Sequence, residues 1–434
     1  MALTGRAGLL ALLGALVVGL ALPSAAGVLA VSGVVLLAVL VDLLLAGNVR
    51  ALGLSRSGDT AVRLGETVEV RLAVHNPGGR TVRGLLRDAW PPSAGVLGDR
   101  HALTVRPGQR QVVAVALRPT RRGDRRAHRV TVRSVGPLGL AARQGSHSVP
   151  WAVRVLPPFH SRRHLPGRLE RLRELDGRRA TLIRGQGTEF DSLREYVIGD
   201  DVRSIDWRAT ARSPETMVRT WRPERDRHVL LVLDTARTAA ARIGDGTRLD
   251  TAMDAALLLA AVASRAGDQV DLLAYDRGVR ASVQGASSAE LLPALVNAMA
   301  PLEPELVESD ARGMVHELLR RIRRRSLVVL LTGLDPAPLE QGLLPVLAPL
   351  TARHQLLVAG VSDPKVARMA RGRGDAEAVY AAAAAERTLA ERRHAIALLA
   401  RQGGGAVEVV DATPDELPPA LTDRYLDLKA AGRL

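Results

Sequence analysis

The chain has 434 residues, enough for roughly two to four domains of about 100–200 residues each. Its hydrophobic content of 47% allows a packed core, and the absence of Cys excludes structural disulfides, thiolate metal sites and a Cys nucleophile. The net charge of +15 is carried almost wholly by Arg and is spread along the chain without an aromatic-studded basic face. We therefore interpret this charge as a composition bias and expect no specific nucleic-acid binding.

Two apolar runs lie near the start of the chain, at about residues 7–22 and 27–45. A membrane-spanning helix needs about 20 apolar residues, so the second run is comfortably long and the first is only just long enough. We predict a transmembrane helical hairpin within residues 1–50. The alternative is a signal peptide with the small residues Ser24–Ala26 as its cleavage site.

Positive charges flank these runs on their outer sides, with Arg6 before the first and Arg50 and Arg56 after the second. Since cytoplasmic flanks of spanning segments are rich in Lys and Arg, we expect a protein of the cell membrane with the bulk of its chain in the cytoplasm. Cleavage of the first run would leave that orientation unchanged. Asp42 lies about one turn from the end of the second run, so we expect its side chain to snorkel to the interface.

Residues 55–156 alternate between apolar and polar side chains and are punctuated by Asn, Pro and Gly. This period-2 pattern indicates short antiparallel strands, and the regular turns favour a small β-sandwich. We interpret Trp90 and Trp151 as core residues of this domain. The basic residues 157–184 are predicted to form a linker with a short helix near Arg168–Leu175.

Residues 185–222 concentrate the rarest side chains of the chain. Aromatic residues make up 2% of the protein, yet Phe190, Tyr196, Trp207 and Trp221 follow one another closely here. Because large aromatic side chains anchor cores and interfaces, we predict that the first three dock against the domain that follows. The same residues at the surface would instead form a partner-binding site.

Opposite charges alternate between these aromatic residues. They are Arg194, Glu195, Asp200, Asp201, Arg203, Asp206, Arg208 and Arg212. Arg binds carboxylates bidentately, so we predict a rigid, ion-paired segment. The alternative hypothesis is a metal-dependent enzyme in which Asp200, Asp201 and Asp206 hold a cation.

Residues 226–434 alternate between apolar strands and amphipathic helices, which indicates a mostly parallel sheet covered on both faces. The predicted strands are His228–Asp234, Asp268–Asp276, Val279–Gln284, Ser326–Leu334, His354–Ser362 and Ala406–Asp411. The predicted helices are Leu249–Ala266, Ala289–Met299, Ala311–Arg325, Glu340–Arg353, Lys365–Gln402 and Asp415–Ala431. The fold class is therefore multi-domain: a helical hairpin, a small β-sandwich and a doubly wound, Rossmann-like α/β domain.

Oxygen-bearing side chains lie at the ends of three predicted strands. Asp234 and Thr238 lie at the end of the first, Asp276 at the end of the second, and Thr332 and Asp335 at the end of the strand that begins at Ser326. Ligands bind at the carboxyl ends of such strands, and these oxygens are of the kind that Mg²⁺ takes. An Asp after a buried strand is also a common helix N-cap, which is the competing interpretation.

This arrangement resembles a von Willebrand factor A domain, whose metal-dependent adhesion site has the sequence Asp-x-Ser-x-Ser after the first strand and a second Asp after the fourth. Asp234 matches the first position and Thr238 stands for the second Ser, whereas Ala236 and Gly333 occupy oxygen-bearing positions. The site is therefore a degraded one. We favour a capping Asp on a metal-free fold over Mg²⁺ binding, because Mg²⁺ demands near-ideal geometry.

The segment 185–212 resembles the signature of a bacterial family known as domain of unknown function 58. It reads Gly-x-Gly-x-Glu-Phe-x-x-Leu-Arg-Glu-Tyr-x-x-Gly-Asp-Asp-x-Arg-x-Ile-Asp-Trp-x-x-x-Ala-Arg and includes Gly199. That family has the same order of membrane hairpin, β-rich segment, motif and A-like domain. Its members are associated with MoxR-type AAA+ ATPases and often with transglutaminase-like membrane proteins. The resemblance brings no catalytic activity with it.

We therefore expect a non-enzymatic scaffold, anchored in the membrane and facing the cytoplasm, whose A-like domain binds a protein partner. The resemblance implies a MoxR-type ATPase as that partner and envelope-related assembly or maturation as the setting. No small-molecule substrate is indicated by the sequence.

Overall fold

The computed structural model describes residues 2–182, 189–198, 200–222 and 227–434. For residues 176–182, 189–192 and 220–222 it describes the backbone only. The chain divides into an N-terminal unit, Met1–Leu156, and a C-terminal unit, Pro157–Leu434. A multi-domain α/β architecture with an N-terminal apolar helix and several sheets is thus confirmed.

The N-terminal unit combines two helices with short strands. Its helices are α1 (Gly5–Ala21) and α2 (Ala25–Leu45). Its strands are β1 (Ala2–Leu3), β2 (Gly53–Gly58), β3 (Ala61–Arg63), β4 (Val68–His75), β5 (Val82–Asp88), β6 (Val96–Leu97), β7 (Arg100–Val105), β8 (Arg110–Leu117), β9 (Gly123–Arg126), β10 (Arg129–Val135), β11 (Ala141–Ser148) and β12 (Ala152–Leu156).

The strands form sheets of order β1-β11-β10-β5-β7, β2-β4-β8-β6 and β3-β12-β9. One core joins the first two sheets, because Leu72 and Val74 of β4 pack in the same cluster as Leu86 of β5 and Val132 of β10. The alternation of buried and exposed residues along β8 and β10 matches the period-2 sequence pattern. Trp90 and Trp151 are partly buried against a second cluster between β4, β8 and β12.

Helix α2 belongs to the apolar segment Ala25–Ala51, which is the one stretch among the described residues that is long and apolar enough to cross a membrane. The most apolar 18-residue window of this segment has a mean hydropathy of 2.8, and only 6% of that window is buried within the protein. Helix α1 is also apolar but has 17 residues. The two helices pack closely, since a Cβ on Gly14 would lie 2.8 Å from a methyl carbon of Val31.

The predicted snorkelling of Asp42 is wrong. The side chain is fully buried, and its carboxylate accepts backbone N–H bonds from Leu138 (2.6 Å), Leu140 (2.7 Å) and Ala141 (2.8 Å). A buried carboxylate needs such donors, and the turn before β11 supplies them. The same turn receives the start of α1, where the Thr4 N–H donates to the Leu140 carbonyl at 3.1 Å. Both outer ends of the helical pair are thus fastened to the β-sandwich.

The C-terminal unit begins with residues that were expected to form a linker. Helix α3 (Leu165–Leu182) is longer than predicted and packs on the unit's own helices rather than bridging two domains. Before it, Ser161 is buried, and its hydroxyl donates to a carboxylate oxygen of Asp254 at 2.9 Å. Arg168 of α3 pairs with Asp423 at 2.8 Å. These partners are far away in sequence, which is why composition alone suggested a linker.

The other elements of this unit include the predicted strands and helices, except that the helices predicted at Glu340–Arg353 and Lys365–Gln402 are each broken into shorter pieces. The helices are α4 (Trp207–Thr210), α5 (Arg248–Arg265), α6 (Leu291–Met299), α7 (Ala311–Arg321), α8 (Ala348–Thr351), α9 (Pro364–Met369), α10 (Ala376–Gln402) and α11 (Leu417–Ala430). The strands are β13 (Glu189–Glu195), β14 (Met217–Arg222), β15 (His228–Asp234), β16 (Arg242–Ile243), β17 (Gly246–Thr247), β18 (Gln269–Tyr275), β19 (Val279–Val283), β20 (Leu327–Leu331), β21 (Gln355–Val361) and β22 (Val407–Ala412).

A six-stranded sheet of order β19-β18-β15-β20-β21-β22 forms the centre of this unit. All neighbours are parallel except β19, which pairs antiparallel with β18 at one edge. Leu230 and Val232 of β15 pack in one cluster with residues of α7 and α10. The intervening Leu231 and Leu233 are equally buried, and α5 contacts β15 while α11 contacts β21 and β22. Helices on both faces explain the unbroken apolar strands.

Candidate functional site

The carboxyl edge of the central sheet carries the predicted polar side chains. Strand β15 ends at Asp234, and β20 ends one residue before Thr332. These strands are parallel neighbours, with Leu233 opposite Leu331, so the two polar residues emerge side by side. Thr238 lies in the short 3₁₀ turn Arg237–Ala240 that follows β15.

Asp234 is held by three donors at this edge. Its Oδ2 accepts hydrogen bonds from the hydroxyls of Thr332 at 2.6 Å and Thr238 at 3.3 Å, and its Oδ1 accepts the Ala236 N–H at 3.0 Å. The side chain is only 5% exposed. Burial raises the pKa of the Asp234 carboxyl, while these hydroxyl and backbone donors act in the opposite direction.

A cavity of about 300 Å³ opens above this carboxylate, and we name it the Asp234 cavity. Its lining is polar around Asp234 and apolar on the side of α7 and the irregular helical segment 338–343. The lining residues are Asp234, Ala236, Arg237, Thr238, Glu308, Ser309, Ala311, Met314, Leu330, Thr332, Gly333, Ala337, Pro338, Leu339, Gln341, Gly342 and Leu343. A concave, mostly apolar pocket with a few convergent polar groups is the usual form of a binding site.

Asp335 does not join this cavity, contrary to the sequence prediction. Its carboxylate accepts a hydrogen bond from Arg248 Nη1 at 2.6 Å, and Arg392 lies 3.9 Å away. A guanidinium therefore occupies the place at this carboxylate that a cation would need. At Gly333, a Cβ would lie 2.8 Å from Thr238 Cβ, so a larger residue there requires its neighbour to shift.

The residues present do not fit a Mg²⁺ ion. Asp234 is the one carboxylate at the floor of the cavity, and its oxygens are already engaged by Thr332, Thr238 and a backbone N–H. Within the described ranges, no three His, Cys, Asp or Glu side chains lie close enough together to hold a metal. The competing interpretation, a carboxylate that caps its own loop, matches this geometry.

The sequence interpretation missed Ser309, which lines the cavity and whose side chain lowers the pKa of Asp234, as the hydroxyls of Thr332 and Thr238 do. A signal was available, because Asp310 begins α7 as its N-cap and accepts the Gly313 N–H at 2.9 Å. The Asp310 N–H also donates to the Asp276 carbonyl at 2.8 Å, which holds this loop at the carboxyl end of β18. Asp276, at the end of β18, instead accepts a bond from the Thr235 hydroxyl at 3.2 Å.

The second candidate region is the hairpin of β13, β14 and their connection, which we name the signature hairpin. Arg194 donates two hydrogen bonds to Asp200, at 2.6 and 2.7 Å. Asp206 accepts a hydrogen bond from Arg219 Nε at 2.7 Å and from the N–H groups that begin α4. The hydrogen bond with Asp200 raises the pKa of Arg194. The pKa of Asp206 is lowered, most by the hydrogen bond from the Ala209 N–H and next by the bond from Arg219.

These contacts leave no three-carboxylate metal cluster in the described part of the hairpin. Asp200 is paired with Arg194, Asp206 is paired with Arg219, and Asp201 accepts the Arg203 N–H at 3.0 Å as a helix cap. Each carboxylate has a separate structural partner, as expected for an ion-paired segment. The alternative of a metal-dependent enzyme therefore gains no geometric support here.

One aromatic residue of the hairpin, Trp207, differs from the prediction. Trp207 is 70% exposed and does not dock against the α/β core. Its position at the first residue of the short helix α4, directly after the capping Asp206, places it at the surface. Tyr196 is half-buried, whereas Gly199 and the side chain of Phe190 lie outside the described residues. Glu195, Arg203 and Arg212 are exposed.

Replacing Trp207 with alanine should change the free energy of unfolding by less than about 0.5 kcal/mol, because the indole buries little area. A buried Trp would cost about 3–5 kcal/mol at the same substitution. Urea denaturation followed by circular dichroism measures the difference. Met253→Ala, at a fully buried position of α5, serves as the destabilised reference. A loss above about 2 kcal/mol for Trp207→Ala would show that the indole is packed after all.

Comparison with known proteins places this region in a recognised group. The family described as "Protein of unknown function DUF58" matches residues 192–401, which include the end of β13, the hairpin connection and most of the central sheet. Similar curated sequences are the uncharacterized proteins Rv1480 of Mycobacterium tuberculosis and Mb1516 of Mycobacterium bovis. Each is 28% identical over 194 residues, which cover 44% of this chain and 60% of the relative.

Solved structures give weaker similarities. The CARDB domain of the PF1109 protein from Pyrococcus furiosus is 19% identical and covers 24% of this chain and 91% of that domain, with a TM-score of 0.19. A β-glucosidase from Listeria innocua is 14% identical and covers 24% of this chain and 16% of that one, with a TM-score of 0.16. Neither value is high enough to assign a fold or a function to this chain.

Proposed function

The chain belongs to the DUF58 family of proteins of unknown function, and on that premise we propose that it is a membrane-anchored adaptor rather than an enzyme. Its α/β unit, which we infer to be von Willebrand A-like, binds a protein partner at the cytoplasmic face of the cell membrane. The chain spans about 60% of the length of the curated relatives that it matches.

Membrane anchoring is supported by the length and apolar surface of α2 and by the hydrogen bonds that Asp42, near its C-terminal end, makes with residues 138–141. The helix has 21 residues, and its exposed surface is almost entirely apolar, as a lipid-facing segment requires. The buried Asp42 connects the last turns of α2 to the turn before β11 through three hydrogen bonds. Movement of the anchor is therefore coupled rigidly to the β-sandwich, which suits a scaffold.

The observation that carries the binding role is the Asp234 cavity. It lies at the carboxyl edge of a parallel sheet, where α/β proteins bind their ligands. It has about 300 Å³ of space, and the exposed pair of Arg237 and Glu308, 2.7 Å apart, stands at its rim. A partner side chain entering this space meets hydroxyls and a carboxylate on one side and apolar residues on the other. The family resemblance suggests a MoxR-type AAA+ ATPase as this partner, with a transglutaminase-like membrane protein as a further component.

Co-purification tests this function. Full-length chain in lipid nanodiscs should retain the MoxR-type ATPase encoded by the same organism in the presence of a non-hydrolysable ATP analogue. Removing both rim charges, with Arg237→Ala and Glu308→Ala, should reduce the retained ATPase about tenfold, since an interface contact of this kind is worth ~1.4 kcal/mol or more.

The matched control is the Arg373–Glu386 pair, which has a similar separation of 2.8 Å and similar exposure but does not line the cavity. Its double alanine variant should retain the ATPase as the unaltered chain does. Equal retention by both double variants would remove the cavity from the binding surface, and no retention by the unaltered chain would contradict the proposed partner. Resistance of the chain to extraction by alkaline carbonate tests the anchoring separately.

A further inference from the structure

The connection within the signature hairpin exposes a group of apolar side chains. Ile198 is 96% exposed, Trp207 70%, Val202 63% and Val197 61%. They lie within residues 197–207, and we name them the apolar patch. Large apolar side chains exposed together mark a contact surface, because water would otherwise drive them into the core.

Two carboxylates beside the patch, Asp200 and Asp206, are withdrawn from this surface by internal pairing. Asp200 is held bidentately by Arg194, and Asp206 is held by Arg219 and by the N–H groups of α4. Each of these carboxylate side chains is less than one-fifth exposed. Asp201 remains exposed but is engaged as a cap. Two of the negative charges near the patch are therefore compensated locally, whereas Glu195 and Asp201 remain exposed.

Three arginines beside the patch have exposed side chains and make no ion pair with any side chain in the described part of the chain: Arg203, Arg208 and Arg212. Arg203 follows Val202 directly, and Arg208 follows Trp207 directly. Guanidinium groups bind phosphate bidentately. Apolar side chains with a Trp and adjacent arginines are the composition that enters the interface of a phospholipid bilayer.

A lipid surface fits the patch better than a protein does. A standard protein interface uses about 20–30 residues on each side, whereas this patch has four apolar residues and three arginines. An Ile that is 96% exposed protrudes and lines no groove. Insertion into a bilayer needs no shape complementarity, and the proposed anchor α2 keeps the chain at the membrane at high effective concentration.

We propose that the apolar patch is a second membrane contact. Ile198 and Trp207 insert at the boundary between headgroups and acyl chains, while Arg203, Arg208 and Arg212 bind headgroup phosphates. This inference rests on the membrane anchoring in the proposed function, and it adds a lipid-dependent position for the α/β unit. The partner that binds the Asp234 cavity would then meet a domain held against the bilayer.

The absence of Cys from the chain allows a direct test. Ile198→Cys in the full-length protein provides a single labelling position for the environment-sensitive dye NBD. The labelled protein is reconstituted in nanodiscs of phosphatidylcholine and phosphatidylglycerol, with and without doxyl-labelled lipid. We expect doxyl lipid to lower the emission at least about twofold, since interfacial side chains lie about 5–10 Å into the headgroup boundary. Leu306→Cys, at a position that is 82% exposed outside the patch, should be unaffected.

Replacing Arg203, Arg208 and Arg212 together with Gln should weaken the quenching at position 198 while leaving the chain in the nanodisc. Emission at position 198 that is insensitive to doxyl lipid but accessible to aqueous iodide would overturn the proposal. Emission that resists both quenchers would overturn it in favour of a protein contact. Failure of the chain to enter nanodiscs would refute the anchoring by α2. In that case the label at position 198 is tested with doxyl-lipid vesicles, and an absence of quenching there would refute the apolar patch as a membrane contact.

Discussion

Replacing Asp42 with alanine should lower the free energy of unfolding of the N-terminal unit by about 3–5 kcal/mol. The carboxylate is fully buried and accepts three backbone N–H bonds from the turn before β11. Hydrogen bonds to a charged group are each worth about 1.5–3 kcal/mol, and the substitution leaves three backbone donors, two of them in buried contacts, without an acceptor. Trp90 and Trp151 report unfolding of this unit, with Trp207 and Trp221 replaced by Phe.

Two further variants separate the hydrogen bonds from the charge. Asp42→Asn keeps one oxygen, so its loss should be intermediate. Gly136→Ala leaves the carboxylate in place but sets a Cβ 2.3 Å from both the Asp42 carbonyl oxygen and Oδ1, so it should destabilise the same contact. Asp99→Ala breaks an exposed pair with Arg87 and should cost less than about 1 kcal/mol. A loss for Asp42→Ala no larger than that of Asp99→Ala would refute the role assigned to the buried carboxylate.

Replacing Lys429 with methionine should lower the free energy of unfolding of the C-terminal unit by about 3–5 kcal/mol at neutral pH. Lys429 Nζ lies 2.6 Å from Asp268 Oδ1, and the Tyr425 hydroxyl donates to Oδ2 at 2.5 Å. The side chains of the pair are 8% and 0% exposed. In this variant the buried Asp268 carboxylate loses the Lys429 ammonium group and keeps the neutral Tyr425 hydroxyl as a donor. Lys365→Met, at an exposed position, should have an effect below about 0.5 kcal/mol.

The loss in Lys429→Met should depend on pH. Burial raises the pKa of Asp268, and Lys429 is the first of the groups that oppose this rise, so its removal raises the pKa further. A carboxyl whose pKa is higher in the folded state binds its proton more tightly there. Its stabilising effect is present below the pKa of the unfolded chain and is lost as the pH rises through the folded pKa.

Urea denaturation of Lys429→Met should therefore show a smaller loss at pH 4 than at pH 7. The double variant Asp268→Asn with Lys429→Met removes the buried charge and should recover part of the stability at pH 7. A pH-independent loss would indicate that the lysine stabilises through the packing of its alkyl chain alone.

The periodic features of the chain could be predicted from the sequence because they depend on local patterns. Strand β15 was expected at His228–Asp234 and is found there, since an apolar run of five residues between His228 and Asp234 has few alternatives. The helix expected at Glu340–Arg353 is instead broken into a π-helical, a 3₁₀ and a short α-helical piece. Pro345 and Pro349 have no N–H to donate to a helical hydrogen bond. A continuous helix therefore does not form here, although the spacing of apolar residues predicts one.

Contacts between distant residues could not be predicted in this way. Asp42 was interpreted from its distance to the end of a span, while its donors lie 96–99 residues away. Asp335 was placed with Asp234 by its proximity to Thr332, but Arg248, 87 residues away, takes its carboxylate. Trp207 was expected to be buried because of its size, whereas its neighbours in the fold leave it exposed. In each case the partner, which the local sequence does not reveal, determines the outcome.

The most direct test of the adaptor function is to fill the Asp234 cavity and measure partner affinity. Gly342 lines the cavity, and a Cβ there would meet no atom within 4 Å, so Gly342→Trp should fill the space without disturbing the backbone. Gly374→Trp is the matched control, because a Cβ at Gly374 is equally unhindered and the residue lies outside the cavity lining. We predict that nanodisc-bound Gly342→Trp binds the MoxR-type ATPase at least about tenfold more weakly than Gly374→Trp, a difference of ~1.4 kcal/mol. Equal affinities for the two variants would contradict the account.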